Sequence, residues 1–258
     1  MILNLERRRW IPDDLGQRHI FVNLADFQLK LVDEPKTLID MKVVVGKPYT
    51  STPVFSRDMT YIEINPFWTV PPSIARRDLL PKIKKDANFL SQNSYTVFSD
   101  WSAGASVIDP TQVNWSSYGR GNFPFKLRQE PGDGNALGKI KFMFPNRFNI
   151  YLHDTPAKEL FSRAERTFSN GCIRVQNPRG LAEMVLAKNP GWTRERIDRA
   201  IASGERTIVT LNEPLPVHIV YLTSWVNKDG SVHFRKDVYD RDVALARALI
   251  GSRSGSLQ

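Results

Sequence analysis

Cysteine is nearly absent: Cys172 is the only one in 258 residues, so no internal disulfide can form and cysteine usage leaves the redox compartment open. Long apolar runs are missing too. No stretch approaches the ~20 residues that span a bilayer, and Met1 to Arg7 lacks the apolar core of a signal peptide. The histidines His19, His153, His218 and His233 share no ligand-pair spacing with Cys172, so no metal site is expected. Gly132 to Gly138 lacks the lysine and spacing of a phosphate-binding loop. An excess of 36 Lys and Arg over 27 Asp and Glu gives a net charge of +9, which favours polyanionic partners. The basic residues are scattered, however, without a helix-turn-helix, RNA-binding or zinc-finger signature, so nucleic acid is not expected. No internal repeat or low-complexity array is present.

What remains is ordinary globular composition, 41% hydrophobic and 24% charged, in a chain long enough for one large domain or a domain with an insertion. The informative stretch is Ile150 to Asn177, IYLHDTPAKELFSRAERTFSNGCIRVQN. A free thiol near pKa 8.5 is mostly protonated at neutral pH, so a nucleophilic Cys172 needs a nearby base or positive charge. His153 can supply it, at the end of an apolar run from Phe148 to Leu152 that reads as a strand. Thr155-Pro156 resembles an N-cap followed by proline at the first helical position, so Lys158 to Phe161 is expected to open a short helix. Before the thiol, Ser169-Asn170-Gly171 is a tight approach whose glycine permits angles that aim backbone N–H groups of Asn170, Gly171 and Cys172 at one point, a candidate oxyanion hole. Tyr151, Trp68, Ser169 and Arg174 are candidate substrate-binding residues. By composition alone, Cys172 and His153 could equally be packing residues.

His153 in IYLHDTP, followed by Ser169-Asn170-Gly171-Cys172-Ile173-Arg174, resembles the signature of the L,D-transpeptidase catalytic (YkuD) domain, a family of cell-wall cysteine acyltransferases. Asn65 to Pro71, Arg128 to Gly132, Asn135 to Gly138 and Lys141 to Asn146 resemble the large proteobacterial branch typified by YcbB, so the likeness covers nearly the whole chain. Many members carry histidine directly before the Gly-Cys pair, where this chain has Asn170. The resemblance implies Cys172 as nucleophile and His153 as base. It implies peptidoglycan tetrapeptide stems as donor and acceptor, release of D-alanine and a 3→3 cross-link, without metal or cofactor. Carbapenem-type β-lactams become possible covalent inhibitors, and the basic charge suits acidic peptidoglycan. A periplasmic location is implied, with an export anchor upstream in a longer protein as the only membrane link. Water or a protein lysine as acceptor would instead make an L,D-carboxypeptidase or a lipoprotein-anchoring enzyme; a non-catalytic wall-binding module is the rival of a different class.

Taken in order, residues 1–16 read as a connector, with Leu5 to Pro12 the tail of a helix. Ile20 to Leu24 and Phe27 to Leu31 alternate as a hairpin, and Leu38 to Val45 and Met59 to Ile64 as further strands. From Pro71 the texture changes: helical character over Ser73 to Leu80, then a Ser-, Asn-, Gly- and aromatic-rich stretch. The resemblance places a substrate-capping insertion there, 74–126, between catalytic segments 1–73 and 127–258. Phe89, Tyr95, Trp101, Trp115 and Tyr118 are available to its groove or its own small core. Leu181, Met184 and Val185, then Ile197, Ala200 and Ile201, give helical spacing, with Asn177-Pro178 capping the first helix and Thr193 and Gly204 as cap and stop of the second. Val217 to Tyr221 and Val232 to Phe234 read as a hairpin around Asn227-Lys228-Asp229-Gly230, Val243 to Ile250 as a last helix, and 251–258 as a mobile tail. The fold class expected is mixed α/β, predominantly β, a sandwich or barrel-like catalytic domain with peripheral helices.

Overall fold

A computed structural model describes residues 1–254 apart from 87, 120 and 228. Its main sheet is built from β1 (Arg18–Asn23), β2 (Gln28–Asp33), β3 (Lys36–Gly46) and β4 (Phe55–Ile64). A second, four-stranded sheet follows, from β5 (Trp68–Thr69), β6 (Tyr95–Phe98), β7 (Val107–Ile108) and β8 (Lys126–Gln129). The chain then returns to the main sheet with β9 (Ile140–Met143), β10 (Leu152–His153), β11 (Thr167–Ser169), β12 (Ile173–Val175) and β13 (Thr207–Val220). The order β3-β12-β10-β9-β4-β13-β1-β2 closes on itself because β2 also pairs with β3, giving a barrel-like sheet to which β11 attaches along β3. The expected predominantly β, barrel-like class is therefore what forms.

Closure follows from the two-residue period. Ile62, Ile64, Phe142, Leu152, Ile173 and Val175 point inward and are buried, each contributing roughly 1.5–3 kcal/mol of hydrophobic stabilisation. Helices Pro178–Val185 and Arg194–Ala202 add Leu181, Ala182, Ile197 and Ile201 to the same core. Their starts are capped as the sequence suggests, by the side chains of Asn177, which accepts from Gly180 N–H, and Thr193, which accepts from Arg196 N–H.

A second core lies outside the barrel: Val70, Ala75, Leu79, Leu80, Ile83, Leu90, Val97, Trp115, Phe125 and Leu127. Of the aromatics of residues 74–126, Trp115 is buried in this core and Phe89, Tyr95 and Tyr118 pack against it, while Trp101 stays exposed.

Four local expectations are corrected. The helical stretch expected over Leu5 to Pro12 covers Ile2–Arg8 and ends before Pro12. β10 is only two residues long, because the Asn146 side chain ties off a turn before it: its Nδ2 donates to the carbonyls of Phe144 and Ile150, its Oδ1 accepts from Phe148 and Ile150 N–H, and Asn149 takes φ 54°. The late hairpin pairs β14 (Ser224–Val226) with β15 (Val232–Phe234), since Val217 to Val220 are held by β1 in the barrel. The last helix runs Arg241–Ser254 through Gly251, whose cost of about 1 kcal/mol relative to alanine does not stop a helix. Of the tail expected to be mobile, 251–254 are therefore helical and 255–258 lie outside the described residues.

Asn65 shows how buried amides brace this frame. It is 1% exposed and its Nδ2 donates to the carbonyls of Ala200, Ile201 and Glu205, satisfying the end of helix Arg194–Ala202. Replacing it by alanine strands those acceptors, so Asn65→Ala is expected to lower unfolding stability by about 1–3 kcal/mol, read as an earlier urea midpoint; an unchanged midpoint would refute the bracing role.

Candidate active site

The parallel pairing of β10 with β12 aligns Leu152 with Ile173 and His153 with Arg174. β9 adds Lys141 opposite His153, and β4 adds Glu63 opposite Lys141. Inward residues of these strands fill the core, so Glu63, Lys141, His153 and Arg174 form one row on the outer face. One step back, Ile173 N–H donates to the Tyr151 carbonyl at 3.1 Å, which sets Cys172 beside Tyr151. Cys172 and His153 are therefore diagonal neighbours on this face. Both open into a cleft of about 890 Å³ between the barrel and the second sheet, lined also by Trp68, Arg77, Trp101, Lys126, Tyr151 and Arg174.

His153 is 5% exposed, and its Nδ1 lies 2.5 Å from the carbonyl of Asp154. A carbonyl can only accept, so Nδ1 carries the proton and Nε2 is left with the lone pair. Asp154 is itself fixed: its carboxylate accepts from Lys139 and Thr155 N–H and pairs with Lys158. Gly138, at φ +61°, is required here because a Cβ would overlap that carboxylate. Burial, then the positive charges of Arg174, Lys141 and Lys158, push the imidazole down to about 3, against the helping hydrogen bond to Asp154.

Cys172 is partly open to the cleft, yet packed closely enough that burial raises its thiol pKa, opposed by hydrogen bonding from Tyr151 and by Lys141 and Arg174. Its Sγ faces the Asn149 carbonyl at 3.7 Å and interacts with the Tyr151 hydroxyl. The resting pair is thus a neutral thiol beside a neutral imidazole. A separated thiolate–imidazolium pair is disfavoured by the same burial.

Arg174 is the unusual cation of the row. Arg77 is paired with Asp78, Arg128 with Glu130, and Lys141 and Arg206 share Glu63. Arg174 forms no such ion pair among the described residues, and its buried Nε has no hydrogen-bond partner. Burial lowers its pKa, with Cys172 and Glu159 pulling the other way. Such an orphaned guanidinium at the floor of a cleft is a ready site for a carboxylate.

The remaining candidates divide. Tyr151 and Trp68 line the cleft. Ser169 is 2% exposed, and its hydroxyl is committed inside the loop, donating to the Cys172 carbonyl at 2.5 Å and accepting from Gly171 N–H at 3.1 Å. That second bond occupies one of the three candidate oxyanion donors. Gly171 sits at φ +119° with Ile150 Cδ1 only 3.2 Å from where a Cβ would be, so glycine is needed for the path to the thiol. Lys141 and Arg77 escaped the sequence reading. Lys141 is placed by register alone; Arg77, between β5 and β6, donates through Nη2 to Asn170 Oδ1 at 2.6 Å.

The L,D-transpeptidase catalytic domain family, YkuD, matches residues 17–210. The chain belongs to this family. It is also 35% identical over 248 residues to a provisionally named L,D-transpeptidase of Haemophilus influenzae, covering 95% of this chain but 49% of that protein, so the chain spans about half the length of the curated relative it matches. Among solved structures, an L,D-transpeptidase from Mycobacterium smegmatis is 12% identical, with a TM-score of 0.35, over 79% of this chain and 58% of its own. L,D-transpeptidase 3 from Mycobacterium tuberculosis with a faropenem-derived adduct is 14% identical, with a TM-score of 0.34, over 79% and 60%. These likenesses are too distant to carry any functional statement.

The depressed imidazole makes a stability prediction. Between pH 6.5 and about 3 the unfolded chain binds a proton at His153 that the folded protein refuses, so stability is lost as pH falls through that window. The fall in melting temperature from pH 7 to pH 4.5 is expected to be smaller in His153→Gln than in the wild type; an equal fall would show that the histidine is not held neutral.

Proposed function

We propose that this L,D-transpeptidase family domain cross-links peptidoglycan through a Cys172 thioester. The observation that supports it best is the convergence, in one cleft, of the only thiol in the sequence with a histidine whose Nε2 and an arginine whose guanidinium have no partner among the described residues. As Sγ attacks the carbonyl of the third stem residue, His153 Nε2 takes the thiol proton. The oxyanion is held by backbone N–H groups of Asn170 and Cys172, since that of Gly171 is engaged with Ser169. Collapse breaks the peptide bond, His153 returns the proton to the departing D-alanine amine, and a thioester remains. The side-chain amine of diaminopimelate on a second stem then attacks it, giving up a proton through His153, and the thiol is regenerated with a 3→3 link.

Arg174 is assigned to a stem carboxylate. A carboxylate bound there would offset the charge that depresses His153, so substrate would improve the base as it arrives. The segment 74–126 is the proposed cap over the cleft, presenting Trp101, Lys126 and Arg77 to the substrate side. A periplasmic setting suits this substrate, and carbapenem-type β-lactams should acylate Cys172. No helix among the described residues is long and apolar enough to cross a membrane.

Incubation with purified tetrapeptide muropeptides, read by mass spectrometry, should give D-alanine and 3→3 dimers with wild-type protein and neither with Cys172→Ala. D-alanine without dimers would point to a carboxypeptidase; sacculus binding without turnover in either protein would point to a wall-binding module. Arg174→Gln is expected to raise the half-saturating muropeptide concentration about tenfold or more, the loss of one charge-assisted hydrogen-bonded contact of ~1.5–3 kcal/mol. An unchanged value would return Arg174 to a bracing role.

A further inference from the structure

The segment between β3 and β4, residues 47–54, looks like a connector: Pro48 and Pro53 punctuate it and it carries no ionisable catalytic group. Yet it doubles back so tightly that a Cβ on Gly46 would overlap the Thr50 carbonyl. What it touches is the backbone of the nucleophile loop. Lys47 N–H donates to the Ser169 carbonyl at 3.0 Å, and Thr50 Oγ1 donates to the same oxygen at 3.2 Å. Thr52, fully buried, donates through Oγ1 to the Gly171 carbonyl at 2.8 Å while accepting from Gly46 N–H at 3.0 Å.

Peptide planarity turns these carbonyl contacts into a statement about N–H groups. In a trans peptide the C=O and the following N–H point in opposite directions, and the only cis bond among the described residues is Glu34-Pro35. Anchoring Ser169 C=O toward the 47–52 segment therefore aims Asn170 N–H away from it. Anchoring Gly171 C=O in the same direction aims Cys172 N–H away as well. Gly171 N–H is the one that closes internally on Ser169 Oγ. The N–H groups of Asn170 and Cys172 thus both point away from the 47–52 segment, both belong to residues that line the cleft, and neither has a backbone or side-chain acceptor among the described residues.

We propose that Thr52 is a positioning residue for the oxyanion hole: its hydroxyl locks the Gly171–Cys172 peptide plane so that Cys172 N–H is already aimed where negative charge develops. Thr50 and Lys47 do the same for Asn170 N–H, with shared responsibility. The inference rests on the acyl-transfer reading above and deepens it. Thr52 suits the task because it is immobile at every polar atom. Its N–H donates to the Tyr239 hydroxyl at 3.4 Å, its carbonyl accepts from Arg241 Nη2 at 3.2 Å, and Tyr239 in turn donates to the Gly46 carbonyl at 2.7 Å. Preorganised donors stabilise an oxyanion because they need no reorientation during the reaction.

The test compares two reactions of the same thiol. Single-turnover D-alanine release from a tetrapeptide muropeptide passes through an oxyanion; alkylation of Cys172 by iodoacetamide, in which Sγ displaces iodide, does not. Thr52→Val keeps the volume and removes the hydroxyl. It is expected to slow D-alanine release about 10- to 100-fold, somewhat less than the ~10²–10³ for outright removal of a donor, at an unchanged half-saturating concentration and with alkylation within about twofold of wild type. Thr52→Ser, which retains the hydroxyl, should restore release. Thr50→Val should cost only a few-fold, since Lys47 N–H still holds Ser169 C=O; this graded pair keeps the test decisive if Thr52→Val folds poorly. A Thr52→Val protein with wild-type release, or with alkylation falling in proportion to release, would overturn the role of Thr52 alone. Wild-type protein that is alkylated at Cys172 yet releases no D-alanine would overturn the acyl-transfer reading, and this inference with it.

Discussion

The site depends on one constraint, the parallel register of β10 against β12. With Leu152 opposite Ile173, both leucine and isoleucine enter the core, and His153, Arg174 and the preceding Tyr151 and Cys172 all face the cleft. A slip of one residue would turn hydrophobic side chains to solvent and bury the thiol and the imidazole in the barrel. The hydrophobic core therefore enforces the catalytic geometry: the same burial of Leu152 and Ile173 that stabilises the fold fixes which side chains meet outside it.

That register also has an electrostatic consequence. Placing Lys141 and Arg174 on either side of a buried His153 keeps the imidazole neutral and proton-accepting, but makes a standing imidazolium costly. The thiol beside it is held protonated by burial. Chemistry in such a site is governed less by a preformed thiolate than by how well the surroundings receive charge as it develops. In the function proposed for this domain, Arg174 and the N–H groups of Asn170 and Cys172 are the features that receive it.

Around this site, much of the sequence that resembles the family serves architecture. Asn65 ends a helix, and Asn135 Nδ2 donates to the carbonyls of Pro66 and Glu130 while its Oδ1 accepts from Leu137 N–H. Gln129 donates to Asn93 and Gly134 carbonyls and accepts from Ala136 N–H. These buried amides satisfy loop backbone that neither helix nor sheet can pair, which is a structural need as demanding as any catalytic one. They hold the cleft's walls rather than touch its contents.

The sequence by itself determined the predominantly β class, the caps at Asn177 and Thr193, and the pairing of interest between Cys172 and His153, because strand alternation, capping and a lone thiol beside a glycine turn are local signals. It misjudged β10 and the late hairpin, where the half-buried Asn146 side chain and the pull of β1 on β13 overrode the local apolar pattern. Only the tertiary structure decided that Lys141 and Arg174 flank the imidazole, that Arg174 has no ion-pair partner among the described residues, and that a connector threonine is hydrogen-bonded to the carbonyl just before Cys172. Each of these is a relation between residues tens or more than a hundred positions apart, such as Thr52 and Gly171, fixed by strand register and backbone direction that no short window of sequence contains.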